Sequence, residues 1–154
     1  MKIISLRQRA LRYLARREHA RSELKQKLAA HAASEAELDA LLDELTAQNC
    51  LSDARYAQMR VASRSARFGN ARLLYDLRKV GITPELAETP FLEIEEEAVR
   101  ALSVLQRKYK KPPVDAKEKA RQFRFLLTRG FSHDSIQKAF KYFGADPPEF
   151  SEEA

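Results

Sequence analysis

The chain has 154 residues, with 28 Lys and Arg against 22 Asp and Glu, for a net charge of +6. That length buries a core without metals, and a lone cysteine, Cys50, excludes an internal disulfide and fits a reducing compartment. No apolar run approaches the ~20 residues of a membrane-spanning helix, and Met1–Ser5 has no signal-peptide character, so a cytoplasmic protein without membrane association is expected.

Taken in chain order, Ser5 and Gln8 have the spacing of a capping box, opening a helix that faces Leu6, Ala10, Tyr13 and Leu14 inward. A break at Glu18-His19-Ala20 precedes a second helix with Leu24 and Leu28 inside. Ser34-Glu35-Ala36-Glu37 is a further capping box, and Leu38, Leu41, Leu42 and Leu45 give the third helix an apolar stripe. A fourth helix starts at Leu51-Ser52-Asp53, places Ala54, Ala57, Val61, Ser65 and Phe68 on one face, and closes at Gly69. The fifth carries Leu73, Leu74, Leu77 and Val80. Gly81-Ile82-Thr83-Pro84 then combines a left-handed cap, an N-cap and a first-turn proline. Pro90 makes the sixth helix short or kinked. The seventh uses Ile94, Ala98, Ala101, Leu105 and Tyr109. The eighth, capped by Asp115, uses Ala116, Ala120, Phe123 and Leu127. The ninth, capped by Ser132, uses Ile136, Ala139, Phe140 and Phe143.

The pattern repeats. Gly81-Ile82-Thr83 lies 49 residues after Ala32-Ala33-Ser34 and 49 before Gly130-Phe131-Ser132, and a leucine stands four positions ahead of each: Leu28, Leu77 and Leu126. A fixed period with matching apolar positions marks a repeat protein. The expected fold is all-α, with three-helix modules at residues 1–49, 50–93 and 94–144 and a flexible acidic tail at 145–154. One such module is marginal alone, so neighbours must stack or lean on a partner.

Charge follows the same period. Successive blocks 1–33, 34–53, 54–81, 82–99, 100–141 and 142–154 carry +7, −6, +6, −6, +9 and −4. A search for catalysis returns nothing: there is no glycine-rich phosphate loop, and His19, His31 and His133 are too scattered to ligate a metal. The histidines are expected to be solvated or capping groups. Glu93, Glu95, Glu96 and Glu97 are expected to serve the dipole of the seventh helix. No catalytic residue, metal site or cofactor is expected. The basic residues are more informative. Arg9, Arg12 and Arg16 share one helical stripe. Arg60, Arg64 and Arg67 share another, with Tyr56 and Ser63 on the same side, and Lys117, Arg121 and Arg124 a third. With Arg72 they form candidate partner-binding surfaces for phosphate or carboxylate.

Ala10-Leu11, Leu14 through His19, and Arg21-Ser22-Glu23-Leu24 resemble the opening helix pair of the RecX family, bacterial modulators of the RecA recombinase. Leu51-Ser52-Asp53, Arg55-Tyr56-Ala57, Arg64, Gly69, Leu77 and Gly81-Ile82 resemble its middle stretch, and Leu126-Leu127, Arg129-Gly130-Phe131 and Ile136 its end. Asn49-Cys50 stands where the family commonly has Gly-Tyr, and Pro90 falls in a helix usually unbroken. The resemblance implies three tandem three-helix repeats in an elongated, curved array. It also implies a monomeric, non-enzymatic regulator that binds the RecA filament on single-stranded DNA and inhibits strand exchange, ATP hydrolysis and coprotease activity. A direct DNA-binding protein built on a trihelical helix-turn-helix-like unit is the alternative, with Asn70, Arg72 and Asp76 as base readers. Weak direct DNA binding fits either.

Overall fold

The computed structural model describes residues 3–144; the expected acidic tail at 145–154 lies outside them. Among these residues the secondary structure is helical throughout: α1 (Leu6–Arg16), α2 (Arg21–Leu28), α3 (Glu35–Ala47), α4 (Asp53–Arg64), α5 (Asn70–Lys79), α6 (Pro84–Leu92), α7 (Glu97–Lys108), α8 (Ala116–Thr128) and α9 (His133–Tyr142). The all-α expectation holds.

The helix starts follow from their caps. The Ser5 hydroxyl accepts from the Gln8 amide while the Gln8 side chain accepts from the Ser5 amide, completing the capping box of α1. Ser34, Asp115 and Ser132 likewise accept from Glu37, Glu118 and Ser135. At Ser34 the box is not reciprocal: Glu37 reaches back one residue further, to the Ala33 amide.

Three helix ends share one geometry. The Cys50 amide donates to Leu45, Ile82 to Leu77 and Phe131 to Leu126, each across a left-handed residue: Asn49 (φ 58°), Gly81 (φ 79°) and Gly130 (φ 89°). This is the Schellman end, in which an αL residue lets two trailing amides satisfy the last carbonyls. Asparagine tolerates αL better than other side-chain-bearing residues, so Asn49 takes the place of glycine. The first junction of the sequence repeat departs from the other two. Alanine at position 32 is extended, and α2 runs out through a 3₁₀ turn at Ala29–His31.

The chain divides into two compact units, Met1–Val61 with Asp76–Phe91 and Ala62–Tyr75 with Leu92–Ala154. Residues of α4 and α5 contribute to both. In the first unit α2 packs on α1 and α3. Its core joins Ala10, Leu24, Leu28, the four α3 leucines and Leu51. In the second, α7 packs along α9 and both meet α8. That core joins Ala101, Leu102, Val104, Leu105, Leu126, Phe131, Ile136 and Ala139. Leu28, Leu77 and Leu126 are all buried, as the 49-residue period requires.

Several expectations are corrected. The fourth helix ends at Arg64, and Ser65–Arg67 continue as turns rather than helix to Gly69. Ala54 is exposed, while Tyr56, expected on the basic side, is buried. Ala116 and Ala120 are exposed because α8 turns Gln122 and Leu126 inward, leaving Phe123 and Leu127 half-buried. Alanines carry too little apolar surface to fix a helix's rotation against leucine and phenylalanine. His19 is not solvated but 1% exposed. Its Nδ1 lies 3.0 Å from the Arg17 carbonyl and its Nε2 2.9 Å from Lys27 Nζ. Only a neutral ring with the proton on Nδ1 satisfies both neighbours.

Candidate functional site

Arg9, Arg12 and Arg16 lie along α1 in the first unit, where with Tyr13 they line a cavity of ≈170 Å³. Arg9 is half-buried and the other two are exposed. Lys117, Arg121 and Arg124 are exposed along α8. Each of these two trios lies along its own helix. Arg60 and Arg64 are half-buried on α4; Arg67, in the turn that follows, and Arg72 on α5 are exposed.

Three of these candidates are brought together in the second unit. The Cζ atoms of Arg64, Arg67 and Arg72 lie 5.8, 5.8 and 5.4 Å from the Phe68 ring centre. Arg129, not among the candidates, joins them at 5.7 Å and stands 5.0 Å from the Phe125 ring. In the sequence Phe68 reads as an apolar face residue, and Arg129 stands out only within the family resemblance. Their association depends on a contact between two loops that no local pattern reveals.

That contact rests on two glycines. The Gly69 amide donates to the Arg129 carbonyl at 2.8 Å and the Ala71 amide to the Gly130 carbonyl at 3.2 Å. A Cβ on Gly69 would lie 2.3 Å from the Gly130 carbonyl, and one on Gly130 2.5 Å from the Arg72 Cβ. Only bare backbone permits this approach, which sets the Phe68 and Arg129 side chains against each other.

Two charged residues of α7 lock the same loops. Arg100, 4% exposed, donates to the carbonyls of Ser65 at 3.1 Å, Phe68 at 2.7 Å and Glu95 at 2.9 Å, and to the Asn70 side-chain oxygen. Burial pulls its guanidinium below the usual arginine range, opposed by Glu97 and Glu95. Glu97 accepts from the Asn70 amide at 2.6 Å and from the Ser132 hydroxyl and amide at 2.7 and 3.1 Å. Burial alone would push this carboxyl up. Hydrogen bonds from Ser132, Asn70 and Ser135 outweigh it and hold the group below the ordinary carboxylate range. Glu97 is thus a specific staple, whereas Glu93 and Glu95 precede α7 and Glu96 occupies its N-cap position. A buried arginine with carbonyl partners leaves no periodic trace in the sequence, and Arg100 is such a residue.

Among the described residues no cluster of His, Cys, Asp and Glu could hold a metal ion, and no helix is long and apolar enough to cross a membrane.

Three RecX family models match the chain in order: the first three-helix domain over residues 7–45, the second over 52–89 and the third over 95–140. The chain belongs to the RecX family. Proteins named regulatory protein RecX are similar along most of their length. That of Herminiimonas arsenicoxydans is 46% identical over 139 residues, 90% of this chain and 92% of the relative. That of Leptothrix cholodnii is 46% identical over 140 residues, 90% and 88% of the two chains. The Neisseria meningitidis serogroup B protein is 43% identical over 138 residues, 90% of each. The crystal structure of RecX from Lactobacillus salivarius shares the fold, with a TM-score of 0.74 at 23% identity, covering 90% of this chain and 94% of that one. A regulatory role for this RecX-family chain follows from its relatives' names.

Proposed function

We propose that this protein is a monomeric cytoplasmic regulator that docks on the RecA filament on single-stranded DNA and lowers its recombinase, ATPase and coprotease activities. It does so without catalysis or cofactor. The observation that carries the reading is the convergence of Arg64, Arg67, Arg72 and Arg129 on Phe68, in a chain of this family. A filament groove offers both phosphate and carboxylate, the two groups a guanidinium fork grips best. Inhibition then follows from differential affinity: the protein shifts the filament toward the state it binds better, by no more than that difference. The partner-binding residues are Arg9, Arg12 and Arg16; Arg60, Arg64, Arg67 and Arg72; and Lys117, Arg121 and Arg124, on modules at 1–49, 50–93 and 94–144.

The helix-turn-helix alternative is weakened at its proposed reading residues. Asn70 uses its side-chain oxygen on Arg100 and its amide on Glu97, and Asp76 is half-buried. Side chains so engaged are poorly placed to reach base edges.

The test is the triple variant Arg60→Gln, Arg64→Gln, Arg67→Gln, with neutral amides chosen because two of the sites are half-buried. Filament affinity is expected to fall at least about tenfold, roughly one lost charge-assisted contact, with helicity retained by circular dichroism. Undiminished inhibition by the folded variant contradicts the reading.

A further inference from the structure

Arg67 and Arg129 of the Phe68 group also line a cavity of ≈250 Å³ in the second unit, together with Val104, Arg107, Lys108 and Phe125. Four of its six lining residues are cationic and none is acidic. Arg67, Lys108 and Arg129 make no ion pair among the described residues, whereas Arg7, Arg17, Arg21, Lys25 and Arg55 all pair with carboxylates. Arg107 is engaged with the Ala66 carbonyl, which fixes that wall. Phe125 is half-buried, with Arg129 at 5.0 Å, Lys108 Nζ at 5.7 Å and Tyr109 edge-on at 5.8 Å from its ring centre.

We propose that this cavity is a contact site for single-stranded nucleic acid, taking the phosphodiester on Arg67, Lys108 and Arg129 and one unstacked base beside Phe125. The inference rests on the filament reading and deepens it, by naming where the protein touches the strand rather than the recombinase. Three features favour this ligand. Gathered cations repel one another until an anion enters, and a phosphodiester presents two oxygens to guanidinium forks. Arginines laid against both aromatic rings form the mixed cationic and π surface on which bases stack; an acidic peptide would use the charges and leave the rings idle. The volume is below the ~300–1,000 Å³ of sites that engulf a small molecule, as suits one point along a polymer. A duplex keeps its base faces stacked and cannot offer one.

The experiment uses the full chain and a fluorescein-labelled oligothymidylate longer than one site of about 4–16 nucleotides, read by anisotropy at low salt. Arg67→Gln with Arg129→Gln is expected to raise Kd at least about tenfold and to make the log–log salt dependence shallower by about 1.4, the share of two single-strand phosphate contacts. Lys138→Gln with Lys141→Gln, which removes equal charge from α9, is expected to change Kd less than about twofold, as non-specific screening alone would. Oligoglutamate of matched charge and a matched duplex are expected to compete poorly. Unchanged oligonucleotide affinity in the Arg67 and Arg129 variant overturns the site. So does an equal loss in the α9 control, or effective competition by oligoglutamate. Filament binding of the wild type, measured alongside, separates the two readings. If the filament is bound but the double variant keeps its strand affinity, this site fails and the regulatory reading stands. If the filament is ignored but the strand effects appear, the regulatory reading fails and the site stands.

Discussion

Glu97 and His19 are each held in one protonation state by their neighbours, and each imposes a pH signature. The Glu97 carboxyl lies lower in the folded protein than in the unfolded chain because hydrogen bonds from Ser132, Asn70 and Ser135 overcome the effect of burial. Its contribution is therefore fully present above the unfolded value of about 4.3 and is lost as pH falls through the folded value. Glu97→Gln should cost about 1–2 kcal/mol at neutral pH, a charged hydrogen-bond network discounted for partial exposure, and should flatten the acid limb of a melting-temperature profile. His19 is also lowered, by burial first and then by Arg17 and Lys27, with its bond to the Arg17 carbonyl and Glu23 opposing. The unfolded chain then binds the extra proton more readily. Stability from His19 is complete above about pH 6.5 and declines as pH drops below it. His19→Gln keeps one donor and one acceptor, and should weaken the slope of melting temperature between neutral pH and about 5.5; an unchanged slope would show that His19 is not the titrating group. Neither role was legible in the sequence. His19 sits in a break between helices, where polar residues are usually solvated, and Glu97 is one of four glutamates in five residues.

Helices were legible where caps and leucines agree. Ser5, Ser34, Asp115 and Ser132 all cap as their spacing indicated, and the four α3 leucines are all buried. The pattern misleads where alanine alone marks the face, at Ala54, Ala116 and Ala120, and where the helix stops short of the next glycine, at Arg64. The repeat makes a direct stability claim. Leu77 is 1% exposed, so Leu77→Ala should cost about 2–5 kcal/mol, the range for emptying a leucine site, as read by denaturant unfolding. Gly130→Ala should be damaging for a different reason. Its left-handed backbone alone costs about 1–2 kcal/mol with a side chain, and the added methyl would press on Arg72. Because that strain parts the two loops, loss of strand or filament affinity beyond the loss of stability is expected. Affinity unchanged in a destabilised but folded variant would show that the loop contact does not organise the arginines.

For the molecule as a whole, alternating charge is the feature most closely tied to its proposed work. Phosphate neutralisation alone would give steep salt dependence and let bare DNA compete freely. The acidic blocks at 34–53 and 82–99 would be repelled by bare DNA but tolerated beside a recombinase that offers cations of its own. Block charge was fully visible in the sequence. Which arginines meet was not, since the Phe68 group joins residues from α4, the turn after it, α5 and the loop after α8. Whether the partner is the filament rather than its DNA is decided by a low-salt competition titration of labelled protein bound to RecA filament, with free single strand added in large nucleotide excess. The free strand is expected to leave most of the protein on the filament; ready displacement would rule out docking on the filament.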